Sequence, residues 1–145
     1  MKEIKIKLAR GAQIPKYATN GSAAVDLCAM IDSPITLAPG ERALIPTGIT
    51  LSIPDGYVGI VAARSGLACK KGICLSNGIG VNDSDYRGEI SVGLFNSSKD
   101  EFTVERGERI AQLMFVPVEF AVFVSTDSLD ETERGEGGFG STGTK

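Results

Sequence analysis

Short apolar segments alternating with turn residues are the feature that most constrains what this chain can fold into. Ile4, Ile6 and Leu8 alternate with lysines, which is the period of a half-buried strand. Similar segments recur about every 8–12 residues. Between them stand turn sequences such as A-P-G-E at 38–41 and P-D-G at 54–56, in which proline presets φ and glycine accepts a positive φ. This spacing predicts an all-β protein, a jelly-roll-like distorted β-barrel with at most one short helix.

The same pattern predicts where individual elements begin and end. Residues 89–96 and 101–106 flank S-S-K-D and predict a hairpin. A last strand is predicted over 113–124, and residues 64–71 predict a helix of two turns with Ser65 as its N-cap. Further strands are predicted at 23–29, 35–37, 43–53 and 57–63.

We expect one domain, because 145 residues are enough for a single core and no internal repeat is visible. Its predicted extent is 1–124. Beyond it, S-T-D-S-L-D-E-T-E is polar and acidic, and it leads into the glycine-rich stretch R-G-E-G-G-F-G-S-T-G-T-K at 134–145. We therefore predict a flexible C-terminal arm over 125–145, which could extend up to ~65 Å and reach beyond its own subunit.

The charge balance and the apolar pattern limit the kinds of partner that the protein is expected to bind. Fifteen basic and 18 acidic residues give a formal net charge of −3, which argues against a general nucleic-acid binder. The first residues, M-K-E-I-K-I-K-L, lack the apolar block of a signal peptide, and no window approaches the ~18 apolar residues of a membrane span. We expect neither nucleic acid nor membrane as a partner. The expected location is cytoplasmic, or intracellular if the protein is viral.

The absence of histidine removes several chemistries. Relays of the Ser-His-Asp or Cys-His type and His-ligated zinc are excluded. Any general base must be a carboxylate or, less favourably, a lysine, tyrosine or cysteine. Cys28, Cys69 and Cys74 lack C-x-x-C spacing, which favours reduced thiols of a cytosolic protein.

Two polar residues inside apolar segments are candidates for a site. Asp26 lies in A-A-V-D-L-C-A, where an acid is costly without a partner, although an outward-facing strand position would also explain it. Gln112 lies among core-type residues in G-E-R-I-A-Q-L-M-F, where a hydrogen-bonded core amide is the alternative.

Two loops carry further candidates. The stretch A-A-R-S-G-L-A at 62–68 would combine Arg64 with backbone N–H groups at a helix start, which makes an anion site, and a capped surface helix is the alternative. In S-N-G-I-G-V-N-D-S-D-Y-R-G-E-I at 76–90, the glycines suit a hairpin whose backbone can approach a flat ligand. Asp83 and Asp85 there both qualify as a general base, whereas a charged β-turn would need no function.

The glycine-rich arm is the last candidate. It lacks the G-x-x-x-x-G-K-[ST] pattern of a P-loop. Its glycines expose N–H groups next to Arg134, Ser141 and Thr142, which makes a mobile phosphate clamp chemically reasonable, with an idle disordered tail as the alternative.

Five stretches, in this order, resemble the five sequence motifs of the trimeric dUTPases. They are A-A-V-D-L-C-A, A-A-R-S-G-L-A, G-V-N-D-S-D-Y-R-G-E-I, R-G-E-R-I-A-Q-L-M-F and R-G-E-G-G-F-G-S-T-G, and together they span residues 23–143. The resemblance implies a β jelly roll that assembles as a homotrimer with active sites at subunit interfaces. It also implies hydrolysis of dUTP to dUMP and pyrophosphate with Mg²⁺ held mainly by the triphosphate, a reaction that limits uracil in DNA and supplies dUMP for dTMP synthesis.

The resemblance also implies a role for each matching residue. Asp83 would orient and deprotonate the water that attacks the α-phosphorus, Tyr86 would pack under the deoxyribose, and Asp26 would support the water shell of the metal. The residues implied to contact uracil are Asn77, Gly78, Val81 and Phe139. Those implied to hold phosphate oxygens or ordered water are Arg64, Ser65, Gly66, Gln112, Arg134, Ser141 and Thr142, with Gly140 in the same segment of the arm.

Other interpretations stay open at the level of sequence. A dCTP deaminase shares the implied fold, but it would need a proton-shuttling glutamate beside the base, and 76–82 contains none. A nucleotide-binding regulatory protein or a purely structural jelly-roll trimer are the other two. One position departs from the family pattern: Asn82 stands where Ile or Val is usual. In an extended segment it points away from Asp83, and its amide would need a partner if buried.

Overall fold

Ten short β-strands and one helix make up the part of the chain that the computed structural model describes, residues 3–139 and 141. The strands are β1 (Lys5–Leu8), β2 (Val25–Cys28), β3 (Ile35–Leu37), β4 (Arg42–Ser52), β5 (Tyr57–Ala63), β6 (Ile73–Leu75), β7 (Gly80–Asn82), β8 (Glu89–Asn96), β9 (Phe102–Val104) and β10 (Arg109–Pro117). The helix α1 (Ser65–Lys71) lies between β5 and β6. The predicted all-β class with one short helix is confirmed.

The strands form two four-stranded sheets and one two-stranded sheet. The first sheet has the order β1-β4-β8-β6, the second has the order β2-β10-β5-β7, and β3 pairs with β9. All of these pairings are antiparallel, and most join strands that are distant in sequence. This is the non-local pairing expected of a jelly roll.

Alternation along the strands builds the core. In β8, Ile90, Val92 and Leu94 are buried, whereas the residues between them are more exposed. The largest fully buried apolar side chains are Leu27, Ile45, Ile73, Leu94, Ile110 and Leu113. Burying a side chain of this size contributes about 1.5–3 kcal/mol, so these strands hold the frame on which the loops are carried.

The hairpin predicted across S-S-K-D is wrong. Strand β8 already has β4 on one side and β6 on the other, so β9 pairs with β3 instead. The fully buried Asn96 organises the intervening loop, because its Nδ2 donates to the carbonyl oxygens of Leu37 (2.9 Å) and Asp100 (2.8 Å) and its Oδ1 accepts from Ser98 N (2.9 Å). These bonds send the chain out of the first sheet.

The last strand ends at Pro117, seven residues before the predicted end. Its partner β5 begins at Tyr57, after the turn that includes Gly56, so the pairing ends with a last hydrogen bond from Val118 N to Gly56 O (3.0 Å). Beyond it, Phe120, Val122, Phe123 and Val124 are 81–96% exposed. An apolar segment with strand-like composition therefore lies unpaired on the surface of the single chain.

The helix prediction is confirmed in place but not in its cap. Arg64 is the N-cap residue of α1, without a side-chain cap hydrogen bond, and Ser65 is the first residue of the helix. Leu67 anchors the helix in the core, and Gly72 ends it with a φ of 68°, which glycine adopts without strain.

The predicted hairpin around residues 76–82 is also corrected. Strand β6 pairs with β8 in the first sheet, whereas β7 pairs with β5 in the second. The turn between them, in which Gly78 has a φ of 74°, therefore carries the chain from one sheet to the other. This crossing opens a cavity between the two sheets.

Candidate active site

A cavity of about 340 Å³ lies where the chain crosses between the sheets. Of the residues singled out in the sequence, Asn77, Val81, Asp83 and Tyr86 line it. Its other lining residues are Leu44, Val61, Leu75, Gly80, Asn82, Glu89, Ser91, Val92 and Gly93. Its volume is in the range of small-molecule sites, and its wall combines aliphatic side chains with a few polar groups.

A β-turn presents the carboxylate of this cavity. Tyr86 N donates to Asp83 O (3.2 Å), and the Arg87 guanidinium donates to the main-chain oxygens of Ser84 (2.6 Å) and Tyr86 (2.8 Å). The turn directs Asp83 to the cavity, while Asp85 lies outside its lining. Geometry thus separates two carboxylates that spacing alone did not.

Asn82 has the hydrogen-bond partner that its position requires. Its Nδ2 donates to the carbonyl oxygen of Gly59 on the paired strand β5 at 3.1 Å. The departure from an aliphatic residue is therefore accommodated within the second sheet, next to Asp83 and without involving its carboxylate.

A second polar group forms at the other side of the second sheet, across β2 and β10. Asp26 and Gln112 are register partners, and Arg64 follows the end of β5. Arg64 Nε donates to Asp26 Oδ1 (2.9 Å), and its Nη1 donates to Arg109 O (3.1 Å). Arg109 Nη1 donates to Asp26 Oδ2 (3.2 Å). Two guanidinium groups thus share one carboxylate, and we call Asp26, Arg64 and Arg109 the arginine cluster.

The arginine cluster carries an excess of positive charge and is open to solvent. The side chain of Arg64 is 24% exposed and that of Asp26 19%, whereas Arg109 is 57% exposed. Ser65 and Gly66, exposed at the start of α1, are adjacent in sequence. Such a surface suits an anion, because guanidinium groups bind phosphate oxygens with charge-assisted hydrogen bonds.

Arg109 is the residue of this cluster that sequence reasoning missed. Strict alternation along β10 would place residues 109 and 112 on opposite faces. The register shifts between Arg109 and Ala111, and the consecutive residues Ile110 and Ala111 are both buried, as at a β-bulge. The bulge brings Arg109 to the side of Asp26. In the sequence, only the closeness of Arg109 to Gln112, three residues away, pointed to it.

The arm residues contact neither group in the part of the chain that the structure describes. Arg134 Nε donates to Gly137 O (2.8 Å), and Ser141 N donates to Gly138 O (3.0 Å), both within the arm. Phe139 is fully exposed, with a φ of 49°. Gly140 and Thr142 lie outside the described residues. The residues predicted to bind one substrate therefore stand in three separate places in a single chain.

Cys28 sits beside the arginine cluster. Burial raises the pKa of its thiol, and the nearby Asp26 carboxylate raises that pKa further, against the lowering influence of Arg109 and Arg64. The thiol is therefore neutral at pH 7 and a poor nucleophile or base. Of the groups that a histidine-free chain leaves for proton transfer, the carboxylates are favoured.

Within residues 3–139 and 141, no group of three or more Cys, Asp or Glu side chains is arranged to hold a metal ion. Nor does any helix in that part of the chain reach the length and apolarity needed to cross a membrane.

The fold and its polar groups define an all-β jelly-roll protein with a cavity of small-ligand size and a separate arginine cluster. A family model described as dUTPase matches residues 10–143. The chain belongs to the dUTPase family.

Named relatives match along nearly the whole chain. The deoxyuridine 5'-triphosphate nucleotidohydrolase of Desulfitobacterium hafniense (strain DSM 10664 / DCB-2) is 50% identical over 149 residues, with 99% of each chain covered. That of Shewanella sp. (strain ANA-3) is 53% identical over 133 residues, covering 91% of this chain and 88% of the relative. Among solved structures, a mutant dUTPase of Staphylococcus bacteriophage 80alpha with dUpNHpp has a TM-score of 0.89 at 27% identity, with 99% of each chain covered.

Proposed function

We propose that the chain hydrolyses dUTP to dUMP and pyrophosphate. The observation that carries the proposal is the cavity that brings Asp83, Asn77 and Tyr86 together in a member of the dUTPase family. Relatives at about half identity carry the corresponding name, and a phage relative was solved with the nucleotide analogue dUpNHpp.

Asp83 is the general base of the proposed reaction. It lines the cavity from an exposed turn, where a water molecule can reach its carboxylate. The carboxylate orients this water for in-line attack on the α-phosphorus and accepts its proton. Phosphoryl transfer depends on positioning and charge neutralisation more than on a strong base, so a carboxylate suffices in a chain without histidine.

Asn77 and the main chain around Gly78 and Val81 read the base in this proposal. The β6 and β7 ladders fix the two ends of this crossing segment, and its main-chain N–H and C=O groups can match the O2, N3–H and O4 of uracil. Cytosine would present an amino group to a donor, and such a mismatch discriminates strongly. Tyr86 packs under the sugar and leaves no room for a ribose 2′-OH.

Arg64 of the arginine cluster holds phosphate oxygens in the same proposal. Arg64 is already oriented by Asp26, and it binds phosphate together with Ser65, Gly66 and Gln112. Mg²⁺ is the implied metal, and it would neutralise charge on the triphosphate. Asp26, the carboxylate nearest to these arginines, would act on the metal's water shell and would not ligate the metal directly.

The active site is proposed to lie between subunits of a homotrimer. In one chain the cavity lining and the arginine cluster share no residue, although a single dUTP must reach both kinds of group. Exposed Phe120, Val122 and Phe123 would be unfavourable in water unless covered. An apolar groove of about 450 Å³, lined by β1, β10 and neighbouring residues, is open for such a segment.

The proposed domains are a β-barrel core at 1–124 and an arm at 125–145 that closes over an active site. Arg134, Ser141 and Thr142 of the arm hold the β and γ phosphates, Gly140 lets the backbone approach them, and Phe139 stacks on uracil. Phe139 is exposed, and the hydrogen bond from Arg134 Nε to Gly137 O lies within the arm. Neither side chain is therefore tied to the core, and both can take this role. In the cell, the activity limits uracil in DNA and supplies dUMP for dTMP synthesis, in the cytoplasm.

A substrate panel tests the proposed function. The protein is incubated with Mg²⁺ and dUTP, dCTP, dTTP or UTP, and pyrophosphate and ammonia are measured separately. We expect pyrophosphate from dUTP in strong preference to the other three nucleotides. Ammonia from dCTP would identify a deaminase, and equal turnover of all four nucleotides would contradict the proposal.

A further inference from the structure

The phenol ring of Tyr86 lies directly against the main chain of Gly88. A Cβ atom built on Gly88 would stand 2.8 Å from Tyr86 Cε2 and closer still to Cζ and the hydroxyl oxygen, an overlap that real Cβ atoms do not tolerate. The φ of Gly88 lies outside the left-handed region, so the backbone itself does not require glycine there. A side chain added at position 88 would therefore collide with the Tyr86 ring and would not strain the backbone.

A hydrogen bond fixes the same, hydroxyl-bearing end of the ring. The Tyr86 hydroxyl donates to the carbonyl oxygen of Glu89 (3.2 Å), the first residue of β8. Glu89 is itself tied to the neighbouring strand, because its Oε1 accepts from Gly48 N at 2.6 Å, within the irregular stretch of β4. The ring thus lies against the Cα of Gly88 and is hydrogen-bonded to Glu89, whose side chain links β8 to β4.

We propose that Gly88 is a specificity-determining positioning residue, which sets the depth of the Tyr86 ring in the cavity and thereby the rejection of ribonucleotides. This inference rests on the proposed function, in which Tyr86 packs under the sugar. A side chain at position 88 displaces the ring, breaks its bond to Glu89 O and changes the space beside C2′ of the sugar. The three heavy atoms nearest to an added Cβ at Gly88 all belong to Tyr86, so we expect the chemical step to be affected less than sugar selection.

The test compares Gly88→Ala with Gly21→Ala in the full-length protein. Gly21 is exposed, has no heavy atom within 4 Å of an added Cβ and does not adopt a positive φ, so it is a matched control. We measure kcat and KM for dUTP and UTP. In Gly88→Ala the ratio of kcat/KM for dUTP to that for UTP falls about tenfold or more, with the loss for dUTP mainly in KM. Gly21→Ala keeps the ratio of the unmodified protein.

A double-variant cycle separates ring positioning from a general structural role. In a Tyr86→Ala background there is no ring to displace, so adding Gly88→Ala leaves the dUTP-to-UTP ratio and the melting temperature unchanged. If Gly88→Ala alone unfolds the protein, Tyr86→Ala restores folding. Damage from Gly88→Ala that persists without the ring would overturn the inference.

The outcomes also distinguish this inference from the function on which it rests. An unmodified protein with no preference for dUTP would overturn both. An unmodified protein that prefers dUTP, together with a Gly88→Ala variant of unchanged ratio, would overturn the inference alone and leave the proposed function intact.

Discussion

The cavity is built by pairing between distant strands, whereas the described part of the arm has only local hydrogen bonds. The cavity lining belongs to β-ladders in both sheets and to a turn closed by several hydrogen bonds. In its described part, the arm makes only short-range hydrogen bonds, such as Thr126 Oγ1 to Ser128 O and Arg134 Nε to Gly137 O, and its aromatic and aliphatic side chains are exposed. In the proposed site, the cavity of one chain supplies the fixed wall for the nucleoside. The phosphate-binding groups and the uracil-stacking Phe139 lie outside that cavity and must be brought to it.

The largest effect on activity is expected from a substitution in the cavity. Asp83→Asn removes the general base but keeps the size of the side chain, so kcat for dUTP should fall about 10²–10⁴-fold while dUTP binding changes little. Pyrophosphate release and calorimetric titration measure the two quantities. Asp85→Asn is the matched control, since Asp85 lies two residues away and outside the cavity lining. Full activity of Asp83→Asn would show that the base is misassigned.

The next effect is expected from the arm. Deletion of residues 134–145 removes the proposed phosphate clamp but no residue of the strands, so turnover should fall by about 10²-fold or more. The melting temperature and the number of subunits per assembly, measured from the molar mass in solution, should stay those of the full chain. A truncated protein with full turnover would mean that the arm plays no part in the reaction.

A smaller effect is expected at the arginine cluster. Arg109→Ala removes one of the two guanidinium groups that share Asp26, but the side chain is largely exposed, so its pairing is worth up to about 1 kcal/mol. We expect KM for dUTP to rise up to about fivefold, and Arg64→Ala to raise it considerably more. Steady-state kinetics at constant ionic strength compare the two variants. Equal losses would mean that both arginines contact phosphate directly.

The smallest effect is expected at Asn82. Asn82→Val restores the usual aliphatic character and removes the donor to Gly59 O. The apolar gain and the lost hydrogen bond are of similar size, about 1 kcal/mol each, so the melting temperature should shift by a few degrees at most. A large drop in kcat for this variant would show that Asn82, and not only its neighbour Asp83, takes part in the chemistry.

Local signals in the sequence predicted the positions of the strands better than they predicted which strands pair with one another. Strand β5 was predicted with its correct ends because the P-D-G turn and Arg64 bound it. The hairpin across S-S-K-D failed because nothing in residues 89–106 records that β8 is already flanked by β4 and β6. Pairing between strands distant in sequence is decided by the whole core and not by the loop between them.

The sequence pointed to four residues of the cavity lining, but it did not give their geometry. Asn77, Val81, Asp83 and Tyr86 were singled out from a motif, and the structure brings them to one cavity. Arg109 escaped because a bulge breaks the alternation of β10, a feature with no local sequence signal. The contact between Tyr86 and Gly88 escaped for a similar reason, since a glycine in a turn does not reveal which ring lies against it.

The structure of the protein with a non-hydrolysable dUTP analogue tests the central claim most directly. We predict uracil and deoxyribose in the cavity of one subunit, with Asn77 at the base, Tyr86 beneath the sugar and the Asp83 carboxylate holding a water in line with the α-phosphorus. The triphosphate should lie against Arg64 and Gln112 of another subunit, with Arg134 and Phe139 of an arm folded over it. An analogue bound wholly within one subunit, with Asp83 away from the α-phosphorus, would contradict this account.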